Sequence, residues 1–218
     1  MKKLLQAVWG LFLETVFPAV CCGCRREGGF LCKGCERAVD LRGDFEVENV
    51  DFEALDGVVA CAEYVDGRMM ARLIHALKYD FVVDLAEPLG EFLVQAFERA
   101  ELEMDVICAV PLHKKRLRWR GFNQTELLAR FLSNKVGVPM WDGLQRIHFK
   151  KTQKELRKEE RRANVVGAFE VFDENVCGKT VLLVDDVATT LATLEACASV
   201  LKEAGAQRVY GIVLARVY

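Results

Sequence analysis

Thr180-Val-Leu-Leu-Val184, a run of β-branched and leucine residues, leads straight into Asp185-Asp186-Val-Ala188 and then Thr189-Thr190-Leu191-Ala192-Thr193. A continuous apolar run of this kind reads as a buried strand of a parallel sheet, and residues 192–204 as the helix that follows it. Ligands of parallel α/β sheets sit outside the carboxyl ends of the strands. The start of the next helix, here at Ala192, offers unpaired N–H groups and the positive end of a dipole to a phosphate. Thr189, Thr190 and Thr193 add hydroxyl donors at the same mouth. Two adjacent carboxylates cannot help bind a phosphate, so Asp185 and Asp186 must face something else, such as sugar hydroxyls or a hydrated Mg²⁺. An acid pair beside a phosphate cradle is what a ribose 5-phosphate requires.

Three competing readings of this segment meet the surrounding residues. Gly178-Lys179-Thr180 suggests a P-loop, but Asp173 stands where that loop's first glycine belongs, and a strand follows where a helix is needed. A phosphorylation receiver carries its acidic pair at its first strand, whereas here only a helix and a strand follow. An ordinary helix with an N-cap and an acidic first turn is the bland alternative.

Outward from this segment the pattern alternates. Residues 58–65 read as a strand, and 67–79 and 85–99 as helices, with Met70, Leu73, Ile74 and Leu77 on one face. Residues 105–112 are a short apolar run that opens into a basic loop. Helical periodicity resumes over 123–135, with Leu127, Leu128, Phe131 and Leu132. A charged helix over 153–164, a short strand over 167–172 and a last strand over 208–217 complete the series. Strands alternating with helices predict an α/β domain around a mostly parallel sheet.

The 218 residues suffice for one full domain and a small accessory module. A hydrophobic content of 52% excludes disorder for most of the chain, and 4 Pro with 16 Gly excludes collagen-like or linker-rich sequence. The net charge of −2 hides an asymmetry: residues 113–162 hold 15 of the 30 basic residues and 5 of the 32 acidic ones. That block of +10 within an otherwise acidic chain implies a bound anion, whether phosphate, nucleic acid or an acidic partner. Part of it is a solvated helix face, where Glu155, Glu159 and Glu160 alternate with Lys154, Arg157, Lys158 and Arg161.

At the amino end, Leu4, Leu5, Val8, Leu11, Phe12 and Val16 share a helical face, predicting an amphipathic helix over 1–17. Gln6, Glu14 and Pro18 interrupt the run, no small-residue cleavage site follows, and Val20 before Cys21 does not suit a lipoprotein site. No stretch approaches the ~20 apolar residues of a membrane span. No membrane insertion is expected, and the cytoplasm is the expected compartment.

Five of the nine cysteines crowd together: Cys21, Cys22, Cys24, Cys32 and Cys35. Cys21-x-x-Cys24 and Cys32-x-x-Cys35 form two tight turns with Gly23 and Gly34 inside them. Such a pair brings four thiolates to the corners of a tetrahedron, the geometry of a closed structural Zn²⁺ site. Two disulfides are the alternative, and they require an oxidising compartment. The x-x spacing favours Cys21 over Cys22 as ligand. Cys61, Cys108, Cys177 and Cys197 stand alone in apolar surroundings and are expected to be small buried hydrophobes.

The Val-Asp-Asp-Val-Ala-Thr-Thr-Leu-Ala-Thr run ending at Thr193 resembles the diphosphate-sugar loop of type I phosphoribosyltransferases, which bind 5-phosphoribosyl 1-diphosphate (PRPP). Joined to a four-cysteine ribbon, it resembles the ComF family of competence proteins. Pro18-x-x-Cys21, Leu31-Cys32 and Leu73-Ile-His-Ala-Leu-Lys78-Tyr79 agree with that family. So does the run from Val110 through Arg120-Gly-Phe122-Asn123-Gln124, with Gln153-x-x-Leu156, Arg161-x-x-Asn164 and Ala168-Phe169 completing the match. Two positions depart from it. Leu191 replaces the family's Gly, which is tolerable if the turn stays in ordinary φ/ψ space, and Lys150 stands where many members have Thr.

The resemblance implies a type I phosphoribosyltransferase-like α/β domain over 41–218, a zinc ribbon over 18–40, and PRPP or a related sugar phosphate bound with Mg²⁺. Asp185 and Asp186 are then the central catalytic carboxylates, and Thr189, Thr190, Ala192 and Thr193 the 5-phosphate cradle. Lys78, Arg116 and Arg120 become candidates for the diphosphate, because cations stabilise charge developing on a departing diphosphate. The acceptor of the phosphoribosyl group is not readable. ComF proteins are also linked to uptake of transforming DNA, which implies single-stranded DNA and competence helicase machinery as partners. The competing reading is a non-catalytic zinc-ribbon protein whose 113–162 block binds single strands. In it, Lys114, Lys115 and Arg118 track the backbone while Trp119 and Phe122 stack on bases.

Overall fold

The computed structural model describes residues 18–42, 47–48, 50–101, 103–147, 167–173 and 175–218. The helices expected over 1–17 and 153–164 lie outside the described residues, as do Lys150, Gln153, Leu156, Arg161 and Asn164. In chain order the elements begin with α1 (Lys33–Arg37), β1 (Gly57–Glu63), α2 (Met69–Tyr79), α3 (Ala86–Arg99), β2 (Val106–Ala109) and α4 (Lys114–Arg120). They continue with α5 (Gln124–Val136), β3 (Leu144–Arg146), β4 (Phe169–Val171), β5 (Thr180–Ala188), α6 (Ala192–Glu203) and β6 (Arg208–Arg216).

Four strands form one sheet in the order β1-β6-β5-β2, parallel at every pairing. The alternation along each strand serves two cores. Val59, Cys61, Leu182, Val184, Ile212 and Leu214 pack beneath α2, α3 and α5. Val58, Ala60, Val181, Leu183, Val209 and Val213 face α6. Because helices cover both faces, these strands are apolar at nearly every position instead of alternating with polar residues. The expected α/β class, with a parallel sheet flanked by helices, stands.

Adjacent strands β2 and β5 send their chains to opposite faces. β2 leads to α5 on the first face and β5 leads to α6 on the second, which opens a crevice at their carboxyl ends. The region after β2 differs from expectation, because the basic loop is largely the helix α4. His113 Nδ1 accepts from Lys115 N at its start, and Gly121 at φ 82° ends it. β4 is the short strand expected over 167–172, and it pairs antiparallel with β3, which the sequence pattern did not reveal.

The cysteine segment folds as two turns and α1, docked on the start of α2. Arg72 Nη2 donates to the carbonyl oxygens of Cys22 (2.9 Å) and Gly23 (2.8 Å). All nine cysteines are free thiols. Cys61, Cys108 and Cys197 are buried as expected, but Cys177 is exposed. It occupies the turn before β5, where Val176 takes the buried position instead. Among the described residues no helix is long and apolar enough to cross a membrane.

Candidate functional site

A cleft of about 190 Å³ lies at the carboxyl ends of β2 and β5. Lys78, Arg116, Arg120, Asp185, Asp186 and Thr193 all line it, so chain segments more than 100 residues apart converge as expected. Thr189, Thr190 and Ala192 do not line it. Thr189 is exposed, and Ala192 lies along a separate groove with Phe52 and Val200.

β5 continues through both aspartates, so its alternation turns their side chains to opposite faces of the sheet. Asp186, 4% exposed, faces the α2 and α5 side. Lys78 Nζ, from the last turn of α2, sits 2.7 Å from Asp186 Oδ1, and Gln124 Nε2 donates to Oδ2 at 2.7 Å. Arg120 in turn donates to Gln124 Oε1 and lies over the Tyr79 ring, 5.6 Å from its centroid. Burial alone would push the Lys78 ammonium down, but Asp186 beside it holds it above its ordinary value. Asp186 and Lys78 thus satisfy each other.

Asp185 is partly exposed and accepts from Asp186 N at 2.8 Å. Burial, and then the neighbouring Asp186 charge, push its carboxyl up to about 7, against the opposing pull of Lys78, the Asp186 N–H and Arg146. Arg146, at the end of β3, also lines the cleft and was missed from sequence, as was the orienting role of Gln124. The Arg120-to-Gln124 run now has a local explanation. Arg120 and Gln124 lead to Asp186, and Gly121 closes α4 in the left-handed region. Phe122 packs against the core rather than standing free for base stacking. Asn123 caps α5, its Oδ1 accepting from Thr125 N at 3.3 Å.

The turn at Leu191 does not stay in ordinary φ/ψ space. Leu191 takes φ 57°, ψ −1°, the left-handed conformation a glycine would favour, while its side chain is buried at 4% exposure. Truncating a buried leucine costs roughly 2–5 kcal/mol, and the left-handed backbone costs any side chain about 1–2 kcal/mol. Both Leu191→Gly and Leu191→Ala are therefore expected to melt below the wild type, with Ala the worse by about 1 kcal/mol because it keeps the strain. Chemical denaturation that ranks Ala above Gly would contradict the left-handed turn.

α4 presents Lys114, Lys115 and Arg118 to solvent, and Trp119 is 62% exposed. Phe81, itself exposed, meets Trp119 edge to face at 5.5 Å between centroids.

The Sγ atoms of Cys21, Cys24, Cys32 and Cys35 all lie within 4.8 Å of one another. Cys22 is not in the cluster and packs against the core. Burial opposes ionisation of Cys21, but the backbone N–H groups of Cys32, Cys24 and Gly23 outweigh it and lower the thiol to about 6. Four soft donors gathered around one point, with a backbone that favours thiolate, suit a tetrahedral zinc ion. Gly23 is needed for this approach, since a Cβ there would lie 2.5 Å from Cys35 Sγ.

The chain is 34% identical to competence protein F of Haemophilus influenzae over 169 residues, 74% of this chain and 73% of that one. It is a ComF-family protein. It is also 33% identical to the DNA utilization protein YhgH of Salmonella typhi, over 64% of each chain, and so spans less than two thirds of that relative's length. ComFC of Bacillus subtilis matches at 34% over 46% of this chain and 39% of its own. No family model matches the chain. Among solved structures, this ComF-family chain is similar to the glutamine PRPP amidotransferase from B. subtilis (23% identity, TM-score 0.42, 60% of this chain and 27% of that one). Another is the adenine phosphoribosyltransferase of Leishmania tarentolae (11% identity, TM-score 0.43, 72% and 91%).

Proposed function

We propose that the chain binds PRPP, or a closely related sugar phosphate, with Mg²⁺ in the cleft between β2 and β5, and transfers the phosphoribosyl group to an acceptor. Cys21, Cys24, Cys32 and Cys35 hold a structural Zn²⁺ in this reading. The observation that carries it is the convergence of Arg116, Arg120, Thr193 and the aspartates in one crevice at the switch point of a parallel sheet. Asp185 accepts hydrogen bonds from ribose hydroxyls or from the water shell of Mg²⁺. The arginines neutralise the diphosphate, and Asp186 sets the Lys78 ammonium and Gln124 in position beside it.

Titration calorimetry with PRPP and Mg²⁺ is expected to give one saturable site. Asp185→Asn is the variant to use, because Asp186→Asn would also strip Lys78 of its partner. Losing a charged acceptor should weaken binding about 10- to 100-fold. An unsaturable wild-type titration would end the PRPP reading.

A second reading, binding of single-stranded nucleic acid, is favoured by exposed Trp119 among the exposed cations of α4, and it accords with relatives named for competence and DNA utilization. It becomes the primary reading if PRPP gives no heat while single-stranded DNA binds with an affinity that falls steeply with salt.

A further inference from the structure

Arg146 is the one cation lining the cleft that the chain leaves unpaired among the described residues. Its Nε is buried without a hydrogen-bond partner. Its guanidinium lies over the Phe169 ring, 5.2 Å from the centroid, on the strand paired with its own. Burial and the Arg116 charge work against the charged form, with Asp185 offsetting them only in part. Arg146 is partly buried, and a partly desolvated charge that lacks an ion pair is costly to keep. Its placement suggests what it serves. Thr193, at the start of α6, and Arg146 line the same cleft. Lys78, Gln124 and Asp186 belong to the opposite face of β5. Beside Arg146, Thr193 supplies a hydroxyl to the same cleft.

We propose that Arg146 is a ligand-binding residue of the Thr193 wall, receiving the sugar's 5-phosphate while Arg120 and Arg116 serve the diphosphate. The inference rests on the sugar-phosphate reading above. It predicts that the two ends of the ligand can be weakened separately.

The test uses the full chain and two probes, ribose 5-phosphate and inorganic pyrophosphate with Mg²⁺, titrated into wild type, Arg146→Met and Arg146→Lys. Arg146→Met should weaken ribose 5-phosphate about 10- to 100-fold and pyrophosphate less than about 3-fold. Without ligand it should melt no lower than wild type, since removing an unpaired, partly buried charge relieves a cost. Arg146→Lys should recover part of the affinity, because it keeps the charge and loses only the fork. Equal weakening of both probes, or of neither, would overturn the proposal, as would a lysine no better than methionine. Wild type that binds PRPP while Arg146→Met is unaffected overturns Arg146 and leaves the PRPP reading intact. Arg146-dependent binding of ribose 5-phosphate with no binding of PRPP does the reverse.

Discussion

Lys78→Met is expected to lower stability by about 3–5 kcal/mol, because it removes the ion-pair partner of a buried carboxylate and leaves Asp186 with only the Gln124 hydrogen bond and the Arg120 charge. The two side chains are 18% and 5% exposed, and Nζ and Oδ1 are 2.7 Å apart. Gln124 satisfies the second carboxylate oxygen but brings no charge. For a chain of this size the loss corresponds to a fall in melting temperature of roughly 10 °C. Replacing both partners, as in Lys78→Met with Asp186→Leu, should recover much of that loss, since a buried pair is often matched by apolar residues of similar volume. A single variant within 1 kcal/mol of wild type would mean that water reaches the pair.

Removal of the metal should produce the other large effect. Purified protein is expected to carry about one zinc per chain, and Cys32→Ser or chelation should release it and open the 18–40 segment to protease. Structural zinc sites of this kind supply on the order of 10 kcal/mol of apparent folding energy. Gly23→Ala should have the same outcome without touching a sulfur. The added Cβ would fall 2.5 Å from Cys35 Sγ and 2.9 Å from Met69 Cε, so the knuckle cannot close. Cys22→Ser should retain the metal. Undiminished zinc in Cys32→Ser by elemental analysis would refute the ligand set.

The parts legible in the sequence were those whose cause is local. The buried run from Thr180 and the amphipathic faces of α2 and α5 declare themselves by composition and period. The two Cys-x-x-Cys turns carry their geometry in their spacing, and the structure gathers those same four sulfurs. α4 hid because its apolar residues, Leu117 and Trp119, are exposed and trace no buried stripe. β3 is three residues long and exists only through its pairing with β4, the strand the sequence had signalled over 167–172. In the site, the convergence of Lys78, Arg120 and the aspartates was foreseen, but not that Lys78 is committed to Asp186, since that contact joins chain segments 108 positions apart. Arg146 belongs to no local motif and reaches the cleft only because β3 carries it there. The strain at Leu191 was invisible because nothing in a leucine announces a positive φ.

α2 begins against the cysteine knuckle, where Met69 touches the space above Gly23 and Arg72 grips two of the knuckle's carbonyls. It ends with Lys78 in the cleft. Arg72 and Lys78 stand six positions apart on one continuous helix, a stiff strut of about 9 Å. The two sites therefore share one lever arm. With zinc in the cysteine cluster and a ligand in the cleft, any change the metal makes in the ligand's affinity through this strut is matched, by thermodynamic reciprocity, by an equal change the ligand makes in the metal's affinity.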